Sequence, residues 1–125
     1  MFGISLNNRR PIHEQLTDKI TELVLSGVLE PESPMPSVRE LAADLGVNPN
    51  TIQRAYAELE RTGVTYSVTG KGRFVTDNVE AVRKEKQKER LKLLHSELLE
   101  IKRLGISEER AAEEVRKVYG KGAEA

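Results

Sequence analysis

Between Leu45 and Pro49 the chain holds three residues, Gly46, Val47 and Asn48, and a helix signal stands on either side of them. Upstream, Ser37-Val38-Arg39-Glu40 reads as a capping box. The serine hydroxyl accepts from the backbone amide of Glu40, and the glutamate side chain reaches back to the cap. The helix it opens starts at Ser37 and ends near Leu45–Gly46. Downstream, Asn48 caps a new helix with Pro49 at its first position, where a missing N–H costs nothing. Two helices joined through so short a glycine turn make the helix-turn-helix pattern, and a β-hairpin after the second of them makes it a winged helix.

The flanking segments fit around this unit. Ile12, Leu16, Ile20, Leu23 and Val24 fall on one helical stripe, so a first helix is expected from about Pro11 to Ser26, with Gly27 as its stop. Glu30–Pro36 contains three prolines and is expected to be a loop. The helix after Asn48 carries Ile52, Ala55, Tyr56 and Leu59 on one face and ends at Gly63. Val64–Val68 and Arg73–Val75 have strand character, with Thr69-Gly70-Lys71-Gly72 as a tight turn between them. From about Val79 to Leu104 the pattern is helical. Gly105 breaks it, and Ser107 caps a last helix with Ala111, Ala112, Val115, Val118 and Tyr119 on one face. The tail Gly120–Ala125 is small and polar and is expected to fray.

A chain of 125 residues suits one domain, or one with an appendage. Hydrophobic residues at 38% support a small core. Residues 1–78 carry 8 Lys+Arg against 10 Asp+Glu, and residues 79–125 carry 12 against 10. All five prolines lie in the first part, so the boundary is expected near Asp77–Val79. With formal net charge zero, a nucleic-acid site has to be a local patch. Without cysteine there is no disulfide framework, zinc finger or thiol chemistry, and His13 and His95 make no metal motif. No apolar run spans a membrane and no signal peptide is evident, so the expectation is a soluble cytoplasmic protein without cofactor or metal. The sequence also lacks a nucleophile–base pair and a phosphate loop between strand and helix, which argues against an enzyme.

The third helix is where chemistry concentrates. A DNA major groove admits one α-helix, whose exposed first turns reach base edges. The residues there are Asn48, Asn50, Thr51, Gln53 and Arg54. Asn and Gln pair with adenine and Arg with guanine, each through two hydrogen bonds. Lys71 and Arg73 sit at the hairpin tip, where Gly70 and Gly72 let the loop come close to DNA. Each feature has a plainer explanation: a helix start, a solvated polar face, an Arg39 paired with Glu40 or Asp44, a simple turn. Their order favours DNA: capped helix, glycine turn, capped polar helix, then a hairpin with a basic tip.

Four blocks carry a resemblance. Pro11-Ile12-His13-Glu14-Gln15-Leu16, Pro36–Ala42, Leu45–Tyr56 and Gly70–Val75 occur in the order found in the N-terminal domain of the GntR family of bacterial transcription regulators. The resemblance spans roughly residues 4–76, and the Asn-Pro-Asn-Thr form is similar to the YtrA-type subgroup. It implies a winged helix that binds operator DNA as a dimer, with Arg39 approaching DNA from helix two, Asn48–Arg54 as the reading surface and Gly72 in the wing contact. Together with the residues read directly from the helix and hairpin, the expected DNA-contact set is Ser37, Arg39, Asn48, Asn50, Thr51, Gln53, Arg54, Lys71, Gly72 and Arg73. Pro49 and Gln53 stand where many members carry arginine, so those two contacts are not carried over. Glu32-Ser33-Pro34 replaces a Gly-Asp turn. Arg73 replaces a threonine and offers the wing an added phosphate contact. His13 stands where tyrosine is frequent and reads as structural.

The 47 residues after Asn78 leave room for about two helices rather than an effector-binding or aminotransferase-like domain. Leu91, Leu94, Leu98 and Ile101 form a short seam, widened by Leu93, Leu99 and Leu104. Pairing with a second copy through this seam and Val115 and Val118 is the simplest way to cover it. Folding back onto the core as a monomer is the alternative. The resemblance likewise implies a two-helix dimerisation region. Arg83–Arg90, with five basic and two acidic residues, reads as an ion-pair-laced helix more readily than as a backbone contact. His95, beside the seam, reads as packing.

The expected architecture is thus mostly α with a small β-hairpin: a winged helix-turn-helix domain over 1–78 and a dimerisation region over 79–125. The expected function is a dimeric repressor on an inverted-repeat operator in double-stranded DNA, responsive to a small-molecule effector if one exists. The alternative from another class is a winged-helix protein-interaction module with an oligomerising tail. Zero net charge supports that alternative, and the amide-rich third helix, poor in apolar anchors, opposes it.

Overall fold

The computed structural model describes residues 2–120, in two compact units that meet between Lys84 and Glu85. The first unit holds α1 (Ile12–Leu25), α2 (Val38–Leu45), α3 (Pro49–Arg61) and an antiparallel hairpin of β1 (Thr65–Val68) and β2 (Gly72–Val75). The fold is mostly helical with one small hairpin, as expected from the sequence. The expected tail beyond Gly120 lies outside the described residues.

The helix ends follow local chemistry. Pro11, expected inside the first turn, is instead the residue before it. Its ψ of 136° is extended, and its carbonyl accepts from Glu14 and Gln15 at 3.1 and 3.2 Å. At α2 both halves of the capping box form: Glu40 N donates to Ser37 Oγ at 3.1 Å, and Ser37 N donates to Glu40 Oε1 at 2.8 Å. At α3, Asn50 N donates to Asn48 Oδ1 at 2.8 Å.

The core of the first unit gathers one stripe from each helix. Leu16, Ile20 and Val24 of α1 meet Leu41 of α2, Ile52, Ala55, Tyr56 and Leu59 of α3, and Val64 and Val75 from the hairpin, all of them essentially inaccessible to water. Each fully buried aliphatic side chain contributes roughly 1.5–3 kcal/mol relative to exposure. The unit reaches past Asn78 to Lys84 because the opening of the next helix, α4 (Val79–Arg103), also packs on this core. Val82 is buried there, and Arg83 Nη2 donates to Leu25 O at 3.1 Å.

Two segments have more structure than their composition suggests. Phe2, Ile4 and Leu6 pack against the core, and the arm is tied down by buried Gln15. Its Nε2 donates to Asn7 O and Arg10 O, each at 2.7 Å, while Asn7 N donates to its Oε1 at 3.1 Å. The proline-rich stretch expected to be only a loop contains a β-bridge from Pro34 to Phe74. Glu32 N donates to Val75 O, Val75 N to Ser33 O and Met35 N to Arg73 O, at 2.8–2.9 Å. Proline has no N–H, so its neighbours supply the hydrogen bonds, and β2 is held on both sides.

The second unit consists of the remainder of α4 and α5 (Glu108–Tyr119), which Ser107 caps by accepting from Arg110 N at 3.2 Å. Not one described residue from 85 to 120 is buried. Leu94, Leu98, Ile101, Ile106, Ala111 and Val115 line an open cleft of about 480 Å³. Leu91 stays 64% exposed and Val118 65%.

Candidate nucleic-acid interface

The turn between α2 and α3 rests on Gly46, which closes α2 in the left-handed region at φ 66°. A side chain there would cost roughly 1–2 kcal/mol. Val47 N still reaches back to Ala42 O at 3.0 Å, so the chain reverses within two residues before Asn48 opens α3.

Because Ile52, Ala55, Tyr56 and Leu59 face the core, helical periodicity turns Asn50, Gln53 and Arg54 to solvent and leaves Thr51 half-buried. These side chains present donors and acceptors beside a positive helix end, where the N–H groups of Asn50, Thr51 and Ile52 are already taken by the side chain and carbonyl of Asn48. Asn48 is exposed, but its Oδ1 is engaged as the cap, so its amide group is what remains for an outside partner. At α2, Ser37 Oγ accepts from Glu40 N and is likewise engaged as the cap. The Ser37 backbone N–H and hydroxyl hold the Glu40 carboxyl below the usual carboxylate range. Arg39, next in sequence, is exposed.

Arg54 also borders an open cleft of about 600 Å³ lined by α1 and α3, with Arg10, His13 and Asp18 on its α1 side. Arg10 pairs with Asp18 at 3.0 Å and with Glu14 at 3.3 Å, and Arg61 pairs with Glu58. Arg10 and Arg61 are therefore partly neutralised by neighbours.

In the hairpin, Thr65 stands opposite Val75, Tyr66 opposite Phe74, Ser67 opposite Arg73 and Val68 opposite Gly72. Alternation puts Thr65 and Val75 on the core face and Tyr66 and Phe74 on the outer face, where their rings lie 5.8 Å apart. The tip closes with Lys71 N donating to Val68 O at 2.9 Å. Gly72, at φ 112°, holds a conformation that side chains rarely adopt, and Lys71 is exposed beside it.

Arg73 departs from the sequence reading. It was expected to extend a phosphate contact, but it lies on the core face and turns back to α3. Its guanidinium carbon sits 5.0 Å from the centre of the Tyr56 ring, and its Nε lies 3.9 Å from Glu60 Oε2. That Nε is buried without a hydrogen bond, and the side chain as a whole is 24% exposed. Tyr56 itself donates to Pro36 O at 2.8 Å. Burial pushes its hydroxyl up to about 12, against the opposing pull of the Arg73 charge.

The basic run at the start of α4 is laced with one-turn ion pairs, Arg83–Glu80, Lys86–Glu89 and Lys88–Glu85. His13 is half-buried at the α1–α3 cleft, and His95 is exposed on α4. Sequence reasoning missed the Tyr56–Arg73–Glu60 cluster. The i, i+4 spacing of Tyr56 and Glu60 on α3 is visible in the sequence, but their meeting with Arg73 depends on the hairpin's return.

Comparison with known proteins matches the family described as bacterial regulatory proteins, gntR family, to residues 12–75. The HTH-type transcriptional repressor YtrA of Bacillus subtilis (strain 168) is 41% identical over 78 residues, which are 62% of this chain and 60% of that protein. The HTH-type transcriptional regulator YhcF of the same organism is 36% identical over 107 residues, 86% of this chain and 88% of its own length. Among solved structures, a transcriptional regulator from Oenococcus oeni is similar with a TM-score of 0.78 at 35% identity, over 94% of this chain and 98% of that one.

Proposed function

Since the chain belongs to the GntR family of bacterial regulatory proteins, DNA-binding transcription regulators rather than enzymes, we propose that it acts as a homodimeric repressor in the cytoplasm, seated on an inverted-repeat operator. The observation that carries the dimer is the second unit, where no described residue is buried although it carries Leu91, Leu94, Leu98, Ile101, Val115 and Val118. A two-helix element with such a face is covered most simply by a second copy. We assign residues 1–78 to DNA binding and 79–125 to dimerisation.

Each protomer then lays α3 in a major groove, about 34 Å from its mate, with Asn50, Gln53 and Arg54 at base edges and Thr51 beside them. Ser37, Arg39 and the side-chain NH2 of Asn48 address the backbone, as does Lys71 from the wing, where Gly72 allows close approach. Arg73 leaves the set of direct contacts proposed. Repression needs no chemistry, only occupancy that excludes the polymerase. The reading agrees with the name of YtrA as a repressor. An effector would release the DNA by favouring one dimer geometry over the other. No helix among the described residues is long and apolar enough to cross a membrane.

The test is selection of bound duplexes from a random DNA pool at near-physiological salt, paired with sedimentation of the free protein. An enriched inverted repeat and a dimeric mass are expected. A monomeric mass removes the dimer, and absence of enrichment favours the protein-interaction module.

A further inference from the structure

Arg73 is the cation nearest the wing tip in sequence after Lys71, yet it faces away from where a wing meets DNA. Its guanidinium lies over Tyr56, and its Nε is enclosed near the Glu60 carboxylate. Tyr56 and Glu60 are one turn apart on α3, the helix proposed to read bases, and the Tyr56 hydroxyl is bonded to Pro36 O, one residue before the α2 cap. The backbone of Arg73 is also held, its carbonyl accepting from Met35 N at 2.9 Å. The side chain ties β2 to α3 and the carbonyl ties it to the Pro34 segment, two residues from Lys71.

We propose that Arg73 is a positioning residue, which sets the wing against α3 so that Lys71 meets a backbone phosphate, and which makes no phosphate contact of its own. The assignment rests on the DNA-binding reading of the wing given above. Planarity suits the role: a guanidinium stacks on an aromatic face and still directs an edge to a carboxylate, which a compact ammonium does not do. A carboxylate at Glu60 likewise makes sense as an anchor for Arg73, since near DNA a free carboxylate only opposes binding.

The experiment measures binding of the full chain to a random-sequence duplex over a range of salt concentrations, because backbone contacts are read without sequence. The proteins are wild type, Lys71→Ala, Arg73→Ala, the double variant and Glu60→Gln. Lys71→Ala is expected to lower the slope of log K against log salt by about 0.9 for each wing on the DNA. Arg73→Ala should lower it equally, and the double variant no further than either single one.

A double variant that loses twice as much makes Arg73 a phosphate contact itself and overturns the proposal. A wild-type slope in Arg73→Ala overturns it as well, since fold stabilisation alone leaves the number of contacts unchanged. If Lys71→Ala has no effect, the wing reading fails first and takes the proposal with it. Glu60→Gln, an exposed change that spares the core, decides the matter should Arg73→Ala not fold. Weaker binding supports anchoring. Unchanged or tighter binding, as follows from removing a repulsive charge, overturns it.

Discussion

The hydroxyl of Tyr56 donates to the carbonyl oxygen of Pro36 at 2.8 Å, joining the middle of α3 to the residue before the α2 cap across twenty positions of chain. This is a hydrogen bond at the heart of the helix-turn-helix unit, and it fixes the two helices from the side opposite their short turn. Tyr56→Phe removes the donor and leaves the Pro36 carbonyl without this partner. Stability should fall by about 1–3 kcal/mol, measured by urea unfolding. An unchanged midpoint and slope would show that water replaces the bond without loss.

The same residue gives an alkaline signature. Its folded pKa, raised to about 12 by burial, lies above the ordinary value of 10. A raised pKa means that the folded state holds its proton longer than the unfolded one. The contribution to stability is full below pH 10 and is lost as pH rises toward 12. Thermal melts across this window should steepen in their decline for wild type relative to Tyr56→Phe, and parallel curves would remove Tyr56 as the source.

At the acid end the sign reverses. Glu40 is held below its ordinary range by the Ser37 amide and hydroxyl, so its contribution is present above the unfolded pKa and lost as pH falls through the folded one. Ser37→Ala deletes the cap and should cost about 0.5–2 kcal/mol at neutral pH. The variant should also show a weaker acid-limb dependence, though it keeps the backbone half of the box. An acid limb identical to wild type would place the effect elsewhere.

Base reading is tested at Arg54. If its guanidinium pairs with a guanine, Arg54→Ala should cost about 1–3 kcal/mol on the selected operator and relax preference at one position in each half-site. Competition assays with single-base operator variants read this out. Full retention of the preference would remove Arg54 from the reading set.

The seam is tested by charge. Leu94→Glu with Leu98→Glu places carboxylates on a face whose coverage the proposed dimer requires. Sedimentation should show a monomer with the circular dichroism of the first unit preserved. A persisting dimer would shift the interface to another face of α4 or α5.

Features decided within one turn of chain were legible in the sequence. The Ser37 box, the Asn48-Pro49 start and the Gly46 stop are each set by neighbours within four residues, and they appear where their chemistry puts them. Pairings across long stretches were not. Pro34 meets β2 through a bridge 40 positions away in the chain, hidden behind a composition that reads as loop. The arm at Phe2–Leu6 had only a brief alternation of apolar residues to announce it, and its anchor Gln15 looks like an ordinary polar helix residue until it is buried. Arg73 was legible as a basic residue at the wing, but its direction depends on strand register and on a ring nearly a whole helix and turn earlier.

The proline in that bridge also governs what the small sheet does in company. A strand border normally offers a row of N–H groups to any extended chain that drifts past, and four-residue strands with aromatic outer faces are poor at discouraging such visitors. On the Pro34 side the border has no donor at its central position, and the flanking amides of Glu32 and Met35 already point inward to β2. Growth of the sheet in that direction is blocked by covalent structure, so concentrated protein should resist strand-by-strand self-association there even when the helices elsewhere exchange partners.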